Sequence, residues 1–221
     1  MERIPEPELM DEPEQARAYA HADFSEPHQA FVERFRQCFP GHRPQRVLDL
    51  GCGAADITIR FARAWPECRL TGVDGSAAML VFAREAVARA GLGDRIELQQ
   101  AHLPGTALPR QVFDTVISNS LLHHLHDPQT LWRAVTQYAA PGAAVFIMDL
   151  RRPDSRERAG ALVREYAAME PEILRRDFFN SLLAAFRPEE IMEQLAQAGL
   201  GSFRVEATGD RHIIVHGMTE G

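Results

Sequence analysis

Short apolar runs alternate with amphipathic stretches through the middle of this chain. "RVLDL", "RLTGVD", "RIELQQA", "FDTVISN" and "AAVFIMDL" are rich in aliphatic and β-branched residues. They read as strands bounded by charged or turn-forming clusters. Between them, apolar residues recur at helical spacing over about 56–64, 76–90 and 128–138. Asp127-Pro128 gives the last of these a start signal, an N-cap acid followed by proline. Strand and helix in alternation build βαβ units, and so a parallel sheet with right-handed crossovers. Further on, "PEEIMEQLAQAG" is a helix closed by Gly199. "SFRVEAT" and "RHIIVHG" follow, joined through Gly209-Asp210. So short a link permits only an antiparallel pair. The predicted fold is α/β: a seven-stranded, mostly parallel sheet with helices on both faces and a C-terminal antiparallel hairpin.

Two regions stand outside this rhythm. Residues 1–43 read as an acidic tail and N-terminal cap helices at about 12–22 and 26–38, with Phe31, Phe35 and Cys38 on one face. Residues 151–187 carry two helical patterns, about 154–169 and 171–186, where a βα connection needs only a few residues. They read as a helical lid inserted after the fifth strand. The expected organisation is therefore tail and cap over 1–43, core over 44–150, lid over 151–187, and a helix and hairpin over 188–221 completing the core.

Composition narrows the partners. With 221 residues, 45% hydrophobic and 25% charged, the chain can bury one sizeable core. No apolar run reaches membrane-spanning length, so no membrane association is expected. The opening "MERIPEPELMDEPEQ" lacks the basic patch and apolar centre of a secretory signal. Cys38, Cys52 and Cys68 form neither a disulfide framework nor a CxxC knuckle, and a cytoplasmic location is expected. Of the seven excess negative charges, six fall within residues 1–28. No net basic face is evident, so a small-molecule partner is expected and nucleic acid is not. All 24 basic residues are arginine, which excludes lysine Schiff-base chemistry and the P-loop lysine. Nothing in the sequence sets an oligomeric state.

The candidate chemistry starts at "RVLDLGCGAAD", Arg46 to Asp56. Gly51 and Gly53 after the first strand would let backbone approach a ligand at the sheet's switch point. A dinucleotide site would continue with glycine or alanine where this chain has Asp56. A carboxylate there competes with a pyrophosphate for the helix N-terminus. S-adenosylmethionine carries a sulfonium and no phosphate, so Asp49 and Asp56 suit its field. Asp74, ending the second strand 21 residues after Gly53, can accept from both ribose hydroxyls.

"VLDLGCG", "GVDGSAAML" and "FDTVISNSLLHHLHDP" together resemble the class I S-adenosylmethionine-dependent methyltransferases over about residues 44–150. The resemblance implies S-adenosylmethionine as cofactor and S-adenosylhomocysteine as product. Asp49, Gly51, Cys52 and Gly53 would form the amino-acid end of the site, and Asp74 the ribose end. Gly75 and Met79 would pack near the adenine, and Asn119 would line the site beside the methyl group. Two positions depart from the family's pattern. Ala55 stands at the third glycine, and His102 stands where an acid often accepts from the adenine amino group. Neutral imidazole can still accept one hydrogen bond, and the Leu103 N–H can reach a ring nitrogen.

Methyl transfer from a sulfonium mainly requires proximity, alignment and exclusion of water. A base helps when the acceptor must lose a proton. His123 and His124, after the fourth strand, are catalytic candidates with an ordinary pKa near 6.5. The same pair recurs in the family across different substrates, which favours a scaffold role over direct catalysis. Some quinone O-methyltransferases carry a divalent-ion site of carboxylates here. This chain has Ser120 and His123 at those places, so no metal is expected. Amide- and nucleobase-directed enzymes often carry Asn/Asp-Pro-Pro-aromatic where this chain reads "NSLL". Tyr19, a further catalytic candidate, would roof the pocket with His21 and Phe24. Phe178, Phe179, Leu182, Leu183 and Phe186 form an apolar stripe for docking the lid. Tyr166, Asp177 and Asn180 are its polar candidates for substrate contact, and Arg151, with Arg152 beside it after the fifth strand, could hold an acceptor carboxylate or phosphate. The expected activity is methylation of a small organic acceptor, oxygen favoured over nitrogen or sulfur. The rival expectations are a degenerate binding module and a transferase moving another group from S-adenosylmethionine.

Overall fold

A computed structural model describes residues 1–103, 105 and 108–221. Five strands run parallel through its centre: β1 (Arg46–Leu50), β2 (Arg69–Asp74), β3 (Ile96–Gln100), β4 (Phe113–Asn119) and β5 (Ala139–Leu150). β6 (Arg204–Thr208) and β7 (His212–Met218) complete the sheet as an antiparallel hairpin, giving the order β3-β2-β1-β4-β5-β7-β6. β1 pairs with β2 on one side and β4 on the other, so the chain reverses its direction of travel there. A crevice opens at such a switch point, beyond the strands' C-terminal ends. β1 reads as an apolar run because four of its five residues are buried under helices on both faces.

Among the described residues, eight α-helices cover the sheet: α1 (Pro13–His21), α2 (Ser25–Cys38), α3 (Asp56–Ala64), α4 (Ala77–Arg89), α5 (Gln129–Tyr138), α6 (Arg156–Tyr166), α7 (Glu172–Ala184) and α8 (Pro188–Gln197). On one face, Phe31 and Phe35 of α2 pack edge-on against Phe61, Trp65 and Phe146. On the other, α5 and α8 are tied by a buried Trp132 indole N–H donating to Gln194 Oε1 at 3.1 Å. α6 and α7 share a smaller core with Leu150. The predicted elements are all present, with ends shifted by a few residues. α5 starts at Gln129, whose N–H is accepted by Asp127 Oδ1 at 3.0 Å. β5 starts at Ala139 rather than Ala143, with a register shift against β4 between Phe113 and Thr115.

The acidic tail is not a free tail. Residues 1–12 lie across the C-terminal ends of the strands as a strap. Arg3 donates to the carbonyls of Ala184 (2.6 Å), His123 (2.8 Å) and Leu125 (3.0 Å), and its guanidinium lies 4.0 Å above the Phe186 ring. The Ile4 N–H donates to Leu183 O at 3.0 Å. Farther along, Ser76 Oγ donates to Met10 O at 2.9 Å. No helix of the described residues is long and apolar enough to cross a membrane.

Candidate active site

The turn after β1 folds tightly onto β2. Gly51 (φ +74°) and Gly53 (φ +52°) hold the left-handed conformations that glycine adopts without strain. A Cβ on Gly51 would also press within 3.0 Å of Leu121. Ala55 shares that backbone region at φ +66°, so the substitution at the third glycine position keeps the turn and carries strain. Asp74 fixes the turn from the next strand. Its two oxygens accept from the N–H groups of Gly53 and Ser76, each at 2.8 Å. Burial raises its pKa, and the two N–H groups oppose that shift. Ser76 in turn caps α4 by accepting from Met79 N–H at 3.0 Å.

These groups open onto a cavity of about 580 Å³. Gly51, Gly53, Asp74, Gly75, Met79, His102, Leu103 and Asn119 all line it, with His102 exposed at the rim beside Gly75. Two residues assigned to the cofactor lie behind this wall. Asp49 is buried under the turn, where Thr58 Oγ1 donates to it at 2.6 Å, and burial lifts its pKa to about 7. Cys52 turns its sulfur away, into the space above Gly72. Asp56 is likewise not a wall residue. It pairs with His28 and with Arg60, each at 2.7 Å, so its charge is answered inside the fold.

The other end of the cavity is walled by the strap, α1, α6, α7 and the turn after β4. Tyr19 and Phe24 meet at 4.8 Å between ring centroids and line it, while His21 leans on Phe82 instead. Burial pushes the Tyr19 phenol up to about 12, which suits a hydrogen-bond donor and not a base. Tyr166 and Asp177 reach the wall, held respectively by Asp210 (3.1 Å) and Gln15 (2.8 Å). Asn180 faces solvent on the outer side of α7. Arg151 bends to the β6–β7 turn and donates to Asp210 O at 3.2 Å, away from the cavity. Arg152 is buried against Ala185 O and Glu190, so none of these three side chains lines the cavity: helix rotation and strand direction, not sequence position, set where they go.

His123 and His124 lie in a short 3₁₀ turn, Leu122–His124, after β4. Before it, Ser120 holds φ +55°, the strained backbone that aims the turn inward. His123 is 2% exposed and its Nδ1 is bound to Asp149 of β5, whose other oxygen accepts the His123 N–H at 3.2 Å. Burial alone would lower the His123 pKa, but the Asp149 carboxylate raises it. Burial and the neighbouring His123 hold His124 down to about 3. The two rings lie 4.3 Å apart between centroids, and Glu6 of the strap reaches their nitrogen edges, 3.5 Å from His123 Nε2 and 3.4 Å from His124 Nδ1, and accepts from Ser181 Oγ at 2.9 Å. Sequence reasoning missed Glu6, Arg211 and His212 at this wall, and Asp149 buried behind it. Only Asp149, an acid inside an apolar strand, carried a local signal.

A seven-stranded Rossmann-like sheet, this glycine turn and the strand-end Asp74 define the class. Residues 47–142 match the family model described as a methyltransferase domain, in line with the resemblance to the class I S-adenosylmethionine-dependent methyltransferases. A trans-aconitate 2-methyltransferase of Azoarcus sp. (strain BH72) is 34% identical over 54% of this chain and 44% of its own length. A ubiquinone/menaquinone biosynthesis C-methyltransferase of Pectobacterium carotovorum is 29% identical over 53% of this chain and 47% of its own. The chain thus matches less than half the length of either relative. Among solved structures, a plantazolicin methyltransferase in complex with S-adenosylhomocysteine and a substrate analogue superposes with a TM-score of 0.73. That superposition covers 95% of this chain and 92% of the other at 13% identity, a likeness of fold.

Proposed function

We propose that this chain transfers the methyl group of S-adenosylmethionine to an oxygen of a small neutral or cationic organic acceptor. The observation that carries the reading is one continuous cavity, with Asp74 and the glycine turn at one end and Glu6, His123 and His124 at the other. Its volume, about 580 Å³, lies in the ordinary range for small-molecule sites. The acceptor hydroxyl gives its proton to the polar cluster, and its oxygen attacks the methyl carbon. The carbon–sulfur bond breaks with its electron pair on sulfur, leaving S-adenosylhomocysteine and the methoxy product. The strap and α6–α7 roof the cavity, which supports a dry, aligned displacement.

The charged lining at the acceptor end includes Glu6, Glu170 and Asp177, against Arg211. An acceptor like the trans-aconitate named for one relative would bring several carboxylates against these acids, so it is not favoured here. The test is calorimetric titration with S-adenosylmethionine and S-adenosylhomocysteine, then homocysteine-coupled turnover over a panel of hydroxyl, amine, thiol and carbon acceptors. Failure to bind either cofactor form overturns the reading. Binding without turnover on any acceptor favours a cofactor-holding module. Turnover confined to nitrogen or carbon acceptors overturns the oxygen assignment.

A further inference from the structure

We infer that Glu6, His123 and His124 form a binding site for one divalent transition ion of the zinc type, open to the acceptor end of the cavity. The use of that ion rests on the methyltransferase reading; its binding does not. The donor atoms of the three side chains lie within 4.8 Å of one another. Glu6 Oε1 stands 3.5 Å from His123 Nε2 and 3.4 Å from His124 Nδ1. Both separations are too long for good hydrogen bonds. They match the roughly 3.4 Å between donors on a tetrahedral ion with bonds of about 2.1 Å.

The surroundings have the build of a metal site. A ligating histidine ordinarily donates its other ring N–H to a carboxylate, which fixes the tautomer and aims the lone pair. Asp149, 3% exposed, does this for His123. Glu6 is steadied by Ser181 and by the strap, which Arg3 pins beside the histidines. Two imidazoles and one carboxylate suit zinc, cobalt or iron rather than magnesium or calcium, which want oxygen. Three protein ligands leave a fourth position, the pattern of catalytic rather than structural zinc. That position faces the cavity, where an acceptor hydroxyl would bind. There the ion would lower the hydroxyl's pKa, as it does for water. The residues after β4 alone did not suggest this, because the carboxylate arrives from the opposite end of the chain.

The test uses cobalt(II) as the probe on the full-length, chelator-treated chain. One equivalent should bind, with the intense visible absorption of a four-coordinate ion, and zinc should displace it. Glu6→Gln and His124→Ala should each weaken cobalt binding at least about tenfold, and Asp149→Asn about 10- to 100-fold. His21→Asn, at an exposed histidine outside the cavity, should change nothing. Folding of each variant is read from its S-adenosylhomocysteine affinity; should one variant unfold, the remaining two decide. A pale, six-coordinate spectrum, or binding that survives all the folded variants, overturns the site. Cobalt bound in the predicted geometry by a chain that methylates nothing upholds the site and overturns the methyltransferase reading. Turnover indifferent to chelation, in a chain that binds no cobalt, does the reverse.

Discussion

Asp49→Asn should flatten the pH dependence of this protein's stability. Asp49 is 2% exposed, and its partner is the Thr58 hydroxyl at 2.6 Å. Burial raises its pKa from an ordinary value near 3.9 to about 7, with Thr58 opposing the shift and Asp74 adding to it. Between those two values the folded chain keeps a proton that the unfolded chain has lost. Stability therefore falls as pH rises through the window, and the loss is complete above pH 7. Three pKa units correspond to about 4 kcal/mol, of which about 3 kcal/mol is lost between pH 5 and pH 8. Asparagine keeps the shape and can accept from Thr58, but carries no charge. The variant's stability minus the wild type's should thus grow by about 3 kcal/mol from pH 5 to pH 8. Urea unfolding at pH 5, 6, 7 and 8 measures it through the midpoint at constant slope. His42, His124 and His212, whose pKa values burial lowers, titrate in both chains and drop out of the difference. A difference constant to within about 0.5 kcal/mol would mean that Asp49 is ionised in the folded protein at pH 5.

Asp74→Ala removes the acceptor of two backbone N–H groups and, on the proposed reading, of the ribose hydroxyls. S-adenosylhomocysteine affinity should fall at least about 100-fold by calorimetry, and retained affinity would refute the ribose assignment. Ala55→Gly relaxes a left-handed alanine and should stabilise by up to about 1 kcal/mol, seen as a Tm rise of roughly 2–4 °C; a lower Tm would contradict it. Arg3→Ala deletes three charge-assisted hydrogen bonds to the lid and the histidine turn. Hydrogen exchange at Ile4 should then quicken at least about tenfold, while the β1 core amides stay unchanged.

Much of the fold was legible because its signals are local. "RVLDL" and "AAVFIMDL" are apolar runs that only a buried strand satisfies, and the Gly209-Asp210 link forced an antiparallel hairpin. Gly51, Gly53 and Asp74 were legible for the same reason: one βα unit separates them, and their geometry follows from the turn. Asp56 was read only as suiting the cofactor's field; that its charge is answered by His28 of α2 was not legible, because the pairing closes between two helices.

The sequence by itself thus determined the sheet and the glycine turn at its strand ends, where each interaction closes within one or two neighbouring elements. Only the tertiary structure decided the acceptor end. Nothing in an acidic, proline-rich opening says that Glu6 will meet two histidines, or that Asp149 will hold one of them. An exposed carboxylate in a tail and a buried one in a polar cluster are the same letter. The difference comes from Arg3 and Ile4, whose bonds to the end of α7 fasten the strap over the cavity. Asn180 and Arg151 left the site for the complementary reason. The helix rotation that buries Leu182 and Leu183 turns Asn180 to water, and the β6–β7 turn draws Arg151 away.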